Sequence, residues 1–437
     1  MSTPVPRVLA IVLPAAAGLA ALLVLPLVAD MAFLNAAVLV CIAALYAMGY
    51  NLLWGQAGLI SFGHATYFAF GASVTIMAMQ GIEAGSALPT PLVPLAGAGA
   101  GFLLGLVAGW FATIRTGVYF AMITVAITEL VRAIVQRWDS AFGGEAGLTS
   151  VRTPWGPLAL QTFTEVYYFT LAWTVLGILL LWFVQSSPLG TVIRGIREQE
   201  ERVRFLGYDT HALKTLVFAL SAGVSGLAGG LLAFTNESTN VALYEGAAST
   251  TVLINAVVGG AGVFLGPVVG ATLTTLFGYY VANLTVYWLL YMGLLFMAIV
   301  IYAPRGLTGV AVEGVRRRRE GRATPGAIVA RRLGGGVALA LALVLAVELV
   351  GAVVQPSYAA LARTSGVAWP AVRVFGIDWR PASPLTLGAV ASLFAVGTLG
   401  LRDLAGRGRH NLATLRRAIA GKASAQAPAK TVPETRP

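Results

Sequence analysis

Asn51, Gln56, Ser61 and His64 stand in an otherwise apolar stretch, residues 51–72 (NLLWGQAGLISFGHATYFAFGA), among Gly55, Gly58, Gly63 and Gly71. Amide, hydroxyl and imidazole groups can hold a polar ligand by hydrogen bonds, and glycines let backbone leave a helix and approach its neighbours closely. A second stretch, residues 255–271 (NAVVGGAGVFLGPVVGA), repeats the order N-x-x-x-G-x-A-G: Asn51, Gly55, Ala57, Gly58 against Asn255, Gly259, Ala261, Gly262. Irregular backbone at membrane depth is stable only where it is buried or lines a cavity. Paired glycine- or proline-interrupted segments in a two-repeat architecture mark a central route through the membrane. Two readings stand. Either Asn51, Gly55, Gly58, Ser61, His64, Asn255, Gly259 and Gly262 line such a route, or the echo is a coincidence of a chain with 51 glycines. His64, the one histidine inside an apolar run, is a hydrogen-bonded packing residue or a gate.

Catalytic chemistry finds no foothold. Three histidines and one cysteine, Cys41 within an apolar run, give neither a disulfide nor a zinc cluster. No Ser/His/Asp constellation is apparent, and the G-x-x-x-x-G-K-[ST] phosphate loop is missing: Lys214-Thr215 follows Leu213, and Gly421-Lys422 precedes Ala423. No catalytic residue, metal site or cofactor is expected in this chain. Thr124, Thr128, Glu129 and Arg132 recur at helical spacing, and Glu129 and Arg132 can pair at i, i+3. As ionisable groups in an apolar run they serve a pathway or neutralise each other.

These residues must be positioned by membrane helices. Of 437 residues, 57% are hydrophobic and 11% charged, and the mean hydropathy is +0.80. A soluble protein carries about 25% charged residues to solvate its surface, so most of this surface faces lipid. Apolar runs fall at 8–29 (a retained first helix rather than a signal peptide), 33–54, 59–81, 92–114, 117–136, 165–184 and 214–236. A complicated region at 249–302 and two late runs at 333–354 and 384–400 follow. The expected fold is an all-α polytopic bundle of about ten to twelve spans, some short or broken.

The net charge of +11 is concentrated: 21 of the 29 Lys and Arg lie in 185–214, 303–332 and 401–437. No basic stretch interleaves with aromatics as single-strand binding requires, so nucleic acid is not an expected partner. The positive-inside rule instead places those stretches and both termini in the cytoplasm. Region 249–302 must then cross an odd number of times. One short or broken crossing before two full ones is preferred to one full crossing with a re-entrant pair. Small residues pack helices in lipid, and three stripes qualify: Gly97/Gly101/Gly105/Gly109, Ser221/Ser225/Gly229, and Gly262/Gly266/Gly270. Residues 422–437 read as a disordered tail.

The run GYNLLWGQAGLISFGHATYFAFGA resembles the signature of the LivM-type permeases of high-affinity branched-chain amino-acid ABC importers. GGEAGL at 143–148, the loop at 197–207 with Lys214 and SAGVSGLAGGLLA, GGAGVFLGPVVGA, and APRGLTGV at 303–310 resemble later family segments in order. The resemblance spans roughly residues 30–310 and implies an inner-membrane subunit working with a second, LivH-like permease, two cytoplasmic ATPases that bind the ATP, and a periplasmic binding protein. It implies a coupling helix within 190–213, with Arg197, Glu198, Glu200, Glu201 and Gly207 at the ATPase contact. The chain departs from the family pattern at Arg202-Val203-Arg204. It also extends beyond it, giving a permease domain at 1–312, a two-span extension at 313–400 and a basic tail at 401–437. Branched-chain or other hydrophobic amino acids lead as substrates. Urea or short amides are the alternative, and a secondary transporter is a more distant one.

Overall fold

Helices begin where a side-chain oxygen can take up free backbone N–H groups. In a computed structural model of the chain, Asp30 Oδ1 accepts from Phe33 N at 3.0 Å, opening helix α1, Met31–Asn51. The structure describes residues 18, 20–156, 159–320, 326–365, 367, 369–374 and 377–402. Backbone is helical over 20–28, while most of the expected first span, 8–17 and 19, lies outside the described residues. The basic tail lies outside them beyond Arg402.

α1 runs into a π-helical turn, Leu52–Gln56. Residues 57–63 are non-helical, so the apolar run at 59–81 does not form a single helix; α2 begins later, at His64–Glu83. Then come α3 (Val93–Ala112), α4 (Val118–Arg137) and α5 (Phe163–Ser186), whose N-terminus carries a capping box between Thr162 and Glu165. The charged segment between spans, expected to hold a short helix within 190–213, is almost wholly helical. α6, Pro188–Phe205, starts after a single break at Ser187 and is kinked at Gln199, whose φ of −154° and ψ of 94° are extended. α7 (Thr210–Asn236) follows, capped by Asp209. The region 249–302 resolves into α8 (Gly246–Gly259), α9 (Gly266–Val281) and α10 (Trp288–Tyr302). α11 (Gly306–Arg319) carries the arginine run, α12 is Gly326–Val354, α13 is Pro356–Ser365 and α14 is Pro384–Arg402. A two-residue ladder pairs Leu148–Thr149 with Ser238–Thr239, and a hairpin pairs Val372–Val374 with Ile377–Trp379.

Nine helices among the described residues are long and apolar enough to cross a membrane. The two late ones, Ala330–Val354 and Pro384–Arg402, fall on the late apolar runs at 333–354 and 384–400. The expected first span falls largely outside the described residues, and α8, with 14 residues, is a shorter apolar helix.

Contacts divide the chain into two units, one running to Tyr279 and including Arg305–Gly309, the other holding Tyr280–Pro304 and the described residues from Val310 on. At the core of the first, α3 lies on α7 through the glycine stripe. A Cβ at Gly101 would sit 2.6 Å from the Ala222 carbonyl oxygen and 3.0 Å from Gly226 Cα, and one at Gly109 would sit 3.1 Å from Phe218. The stripe is therefore a packing face on which two backbones touch. The third stripe differs: Gly262 lies in the link between α8 and α9 with nothing within 4 Å, while Gly266 and Gly270 abut the backbone of Gly260 and Asn255. In the second unit, the Glu348 carboxylate of α12 accepts from the Thr285 hydroxyl and, at 2.9 Å, from Tyr291 Oη.

Candidate functional site

The bend between α1 and α2 is held by a chain of hydrogen bonds through buried side chains. Gly63 N donates to Ser61 Oγ at 3.2 Å, Ser61 Oγ lies 3.0 Å from His64 Nδ1, and His64 Nε2 lies 2.8 Å from Ser221 Oγ. Ser221 Oγ donates to the Gly49 carbonyl at 2.7 Å. That use of the Ser221 proton leaves its oxygen to accept from His64, so satisfying every group puts the proton on Nε2 and makes Nδ1 the acceptor from Ser61. The imidazole is fully buried, with Tyr50, Tyr67 and Phe218 edge-on to it. His64 thus ties α2 to α1 and α7, the arrangement of a packing residue. Around it, Tyr50 Oη donates to Ser61 O at 3.0 Å, Phe62 N to Thr124 Oγ1 at 3.2 Å, and Ala65 N to Ser249 Oγ at 2.8 Å. Thr66 and Thr128 hydroxyls meet at 2.8 Å. The Thr124/Thr128 face of α4 therefore braces the bend. Glu129 is exposed and Arg132 half-buried, and they pair with each other, at 2.9 and 2.7 Å.

The two echoing segments lie against each other. Both asparagines stand in the last turns of a helix, and both segments continue through a non-helical link into a second helix. A Cβ at Gly55 would strike the Asn51 carboxamide and sit 3.2 Å from the Ala261 carbonyl. Their hydrogen bonding differs: Asn255 Oδ1 accepts from Thr274 Oγ1 at 2.5 Å, whereas buried Asn51 Oδ1 has no partner among the described residues. A small cavity beside it is lined by Met48, Asn51, Leu52, Gln56, Leu181, Gln185 and Phe264. At the other segment Thr308 Oγ1 donates to Gly259 O at 2.6 Å and Gly306 abuts Gly260, both in the left-handed region at φ 72° and 99°. Only glycine passes so close there. Gly262 is apart from this contact.

The residues expected on the coupling helix share α6 and its tip. Arg197 donates from its guanidinium to the Gly55 carbonyl, and its stem crosses Gly58, where a Cβ would sit 2.9 Å from Arg197 Cγ. Arg194 reaches Gln56 Oε1 at 3.5 Å and Gln185 O at 3.1 Å. Beyond the kink, Glu200 Oε1 accepts from Lys214 Nζ at 2.7 Å, Thr210 Oγ1 at 3.0 Å and Arg204 at 3.4 Å. Burial pushes the Glu200 carboxyl up, but the bond and charge of Lys214, helped by Thr210 and Arg204, outweigh it and hold it below the usual carboxylate range. Glu198 and Glu201 are exposed, and Gly207 turns the chain at φ 89°. Sequence reasoning missed the apolar tip: Phe205 is 89% and Leu206 76% exposed, beside Tyr208. Two large apolar residues ending a charged helix outside the apolar spans carry that signal, since an exposed apolar patch rimmed by polar residues marks an interaction surface. Among the described residues no cluster of three or more potential metal ligands occurs, and Cys41 is a buried free thiol.

A polytopic helical bundle with broken intramembrane segments, a glycine-packed core and a charged, apolar-tipped helix outside the spans has the build of a membrane permease. The family described as the permease component of branched-chain amino acid transport systems matches residues 32–303, and this chain belongs to it. It is 27% identical over 318 residues to the LivM permease protein of the high-affinity branched-chain amino acid transport system of Escherichia coli, covering 66% of this chain and 74% of that one. It is 24% identical over 207 residues to the BraD permease of Pseudomonas aeruginosa (43% and 66% covered). To the autoinducer 2 import permease LsrC of Salmonella typhimurium it is 27% identical over 209 residues (44% and 55%). No solved structure matches the chain. The protein is a multi-pass inner-membrane subunit of an ABC-type importer, a transporter component rather than an enzyme, and such components work with ATPase and binding-protein partners.

Proposed function

We propose that this chain translocates branched-chain or related hydrophobic amino acids, driven by ATP bound and hydrolysed on two cytoplasmic partner subunits. A second, LivH-like permease completes the pathway, and a periplasmic protein delivers substrate. The named activities of LivM and BraD support the substrate class; these relatives lend no support to the urea, amide or secondary-transport readings. The same core also matches permeases for autoinducer 2, so selection rests mainly with the binding protein. The family part and its two-span extension, 313–400, sit with both termini and the basic stretches in the cytoplasm, as the positive-inside rule asks. Asn51, Gly55, Gly58, Ser61 and His64, with Asn255, Gly259 and Gly262, belong to the broken segments beside the pathway.

The observation that carries the coupling assignment is the tip of α6. Phe205 and Leu206 project almost fully exposed from a helix rich in Glu198, Glu201, Arg202 and Arg204, an apolar anchor within a polar rim. Co-purification of the chain with an ATP-hydrolysing subunit tests this. Phe205→Asp with Leu206→Asp should lose that subunit while the chain still inserts and purifies; an intact complex would refute the assignment.

A further inference from the structure

α6 has two arms with different attachments. Before Gln199, Arg194 and Arg197 grip the π-turn that ends α1, at Gln56 and Gly55. After Gln199, Glu200 is fixed to Lys214 and Thr210 at the start of α7. The extended conformation of Gln199 interrupts the helical ladder between the arms, so the junction can bend without breaking either attachment. Among the described residues, the hydrogen bonds from α6 to the broken segment come from the first arm.

The contact on that segment is specific. Gly55 lies in the last turn before the chain leaves helical geometry, where carbonyls have no intrahelical donor. Arg197 supplies that donor from outside the helix. Its aliphatic stem lies over Gly58, at φ 74°, where any side chain would displace it. π-helical turns are rare and concentrate where a helix has a functional adjustment to make. Across the turn, a Cβ at Gly55 would come within 3.2 Å of the Ala261 carbonyl of the second echoing segment. A displacement of Arg197 therefore acts on the point at which the two broken segments meet.

We propose that Arg197 is the positioning residue that passes movement of α6 to the Leu52–Gln56 turn, rather than a contact to the ATPase itself. The inference rests on reading the tip of α6 as the docking element. Arg197 then has a role separable from docking: the ATPase binds and turns over, but its stroke reaches the pathway only through the guanidinium on Gly55 and the stem on Gly58.

The test uses the whole importer, co-expressed and reconstituted in proteoliposomes, with ATP hydrolysis and uptake of radiolabelled leucine measured on the same samples. Arg197→Ala should leave the complex assembled and ATP turnover close to the parent while leucine moved per ATP falls roughly tenfold, within the span of coupling between sites. Arg197→Lys, which keeps the charge but loses the planar fork, should recover part of the loss. Gly58→Ala, which pushes the stem aside and strains the backbone at φ 74° without touching the guanidinium, should uncouple in the same direction. Unchanged leucine per ATP in Arg197→Ala would overturn the proposal. So would a parallel loss of hydrolysis and uptake in an assembled complex, because Arg197 would then belong to the docking surface. Should Arg197→Ala fail to assemble, Gly58→Ala decides on the same two readouts. Failure of the docking reading is seen separately, as an unimpaired complex in the Phe205→Asp, Leu206→Asp variant.

Discussion

Replacing one glycine on α3 should damage the bundle, while replacing its near neighbour should not. A methyl at Gly101 would lie 2.6 Å from the Ala222 carbonyl oxygen, whereas ordinary contact starts at 3.4 Å. The obstructing atoms are backbone of α7, so no side chain can swing away, and the two helices must part by about 0.8 Å. A gap of that size forfeits about a quarter to a half of each dispersion contact along the seam. Lipid tails offer no hydrophobic compensation for the loss. With both partners rigid, Gly101→Ala should cost about 2–3 kcal/mol, the upper part of the overpacking range. A methyl at Gly99 meets nothing within 4 Å, and Gly99→Ala should be neutral or gain up to roughly 1 kcal/mol from the lower backbone entropy of alanine. Thermal unfolding of the purified chain in one detergent, at one heating rate, compares the two. Coincident midpoints, or a lower midpoint for Gly99→Ala, would refute the stripe as the α3–α7 seam.

Three further substitutions probe the site. Glu200→Gln leaves the buried Lys214 ammonium without its counter-charge and should cost about 1–3 kcal/mol, discounted from a fully buried pair because a quarter of Glu200 is exposed; Lys214→Met added to it should recover part of that, and strict additivity in the double-mutant cycle would contradict the pairing. Because the folded Glu200 carboxyl is depressed, the tie is complete above the unfolded value of about 4.3 and is lost as pH falls through the lower folded value. The melting difference between Lys214→Met and the parent should therefore hold steady from about pH 5 to 8 and shrink below about pH 4; a steady decline between pH 8 and 5 would exclude this assignment. His64→Phe keeps a ring of similar shape but removes the bonds to Ser61 and Ser221, and should lower stability by about 1–3 kcal/mol, read as a drop in the same detergent melt; an unchanged midpoint would argue against the hydrogen-bond chain.

Much of the fold was legible because lipid imposes length and composition on each span. The runs at 92–114, 117–136, 165–184 and 214–236 correspond to α3, α4, α5 and α7 within a few residues. Hydropathy could not see the break at 57–63. Leu59, Ile60 and Phe62 are as apolar as any helix interior, and the bend is dictated by partners far along the chain, Thr124, Ser221 and Ser249. The charged segment 188–205 is too polar for a span, and the helix expected within 190–213 proves longer, starting at Pro188 after the Ser187 cap. In the candidate site, the residue types at 51–64 and 255–262 were readable from their polar and glycine content. Their meeting at Gly55 and Ala261 was not, since the partners are about 200 residues apart in sequence. Arg197 and Glu200 were identifiable as members of a polar surface. That one turns inward to a backbone carbonyl and the other to Lys214 depends on the kink at Gln199, for which glutamine carries no signal.

The central claim, that this permease moves its substrate with energy from partner subunits, is tested most directly in sealed proteoliposomes. Radiolabelled leucine uptake should require ATP together with the co-reconstituted ATPases, second permease and binding protein, and should vanish when any one is omitted. Leucine accumulation by this chain alone, driven by a proton or sodium gradient without ATP, would contradict the account.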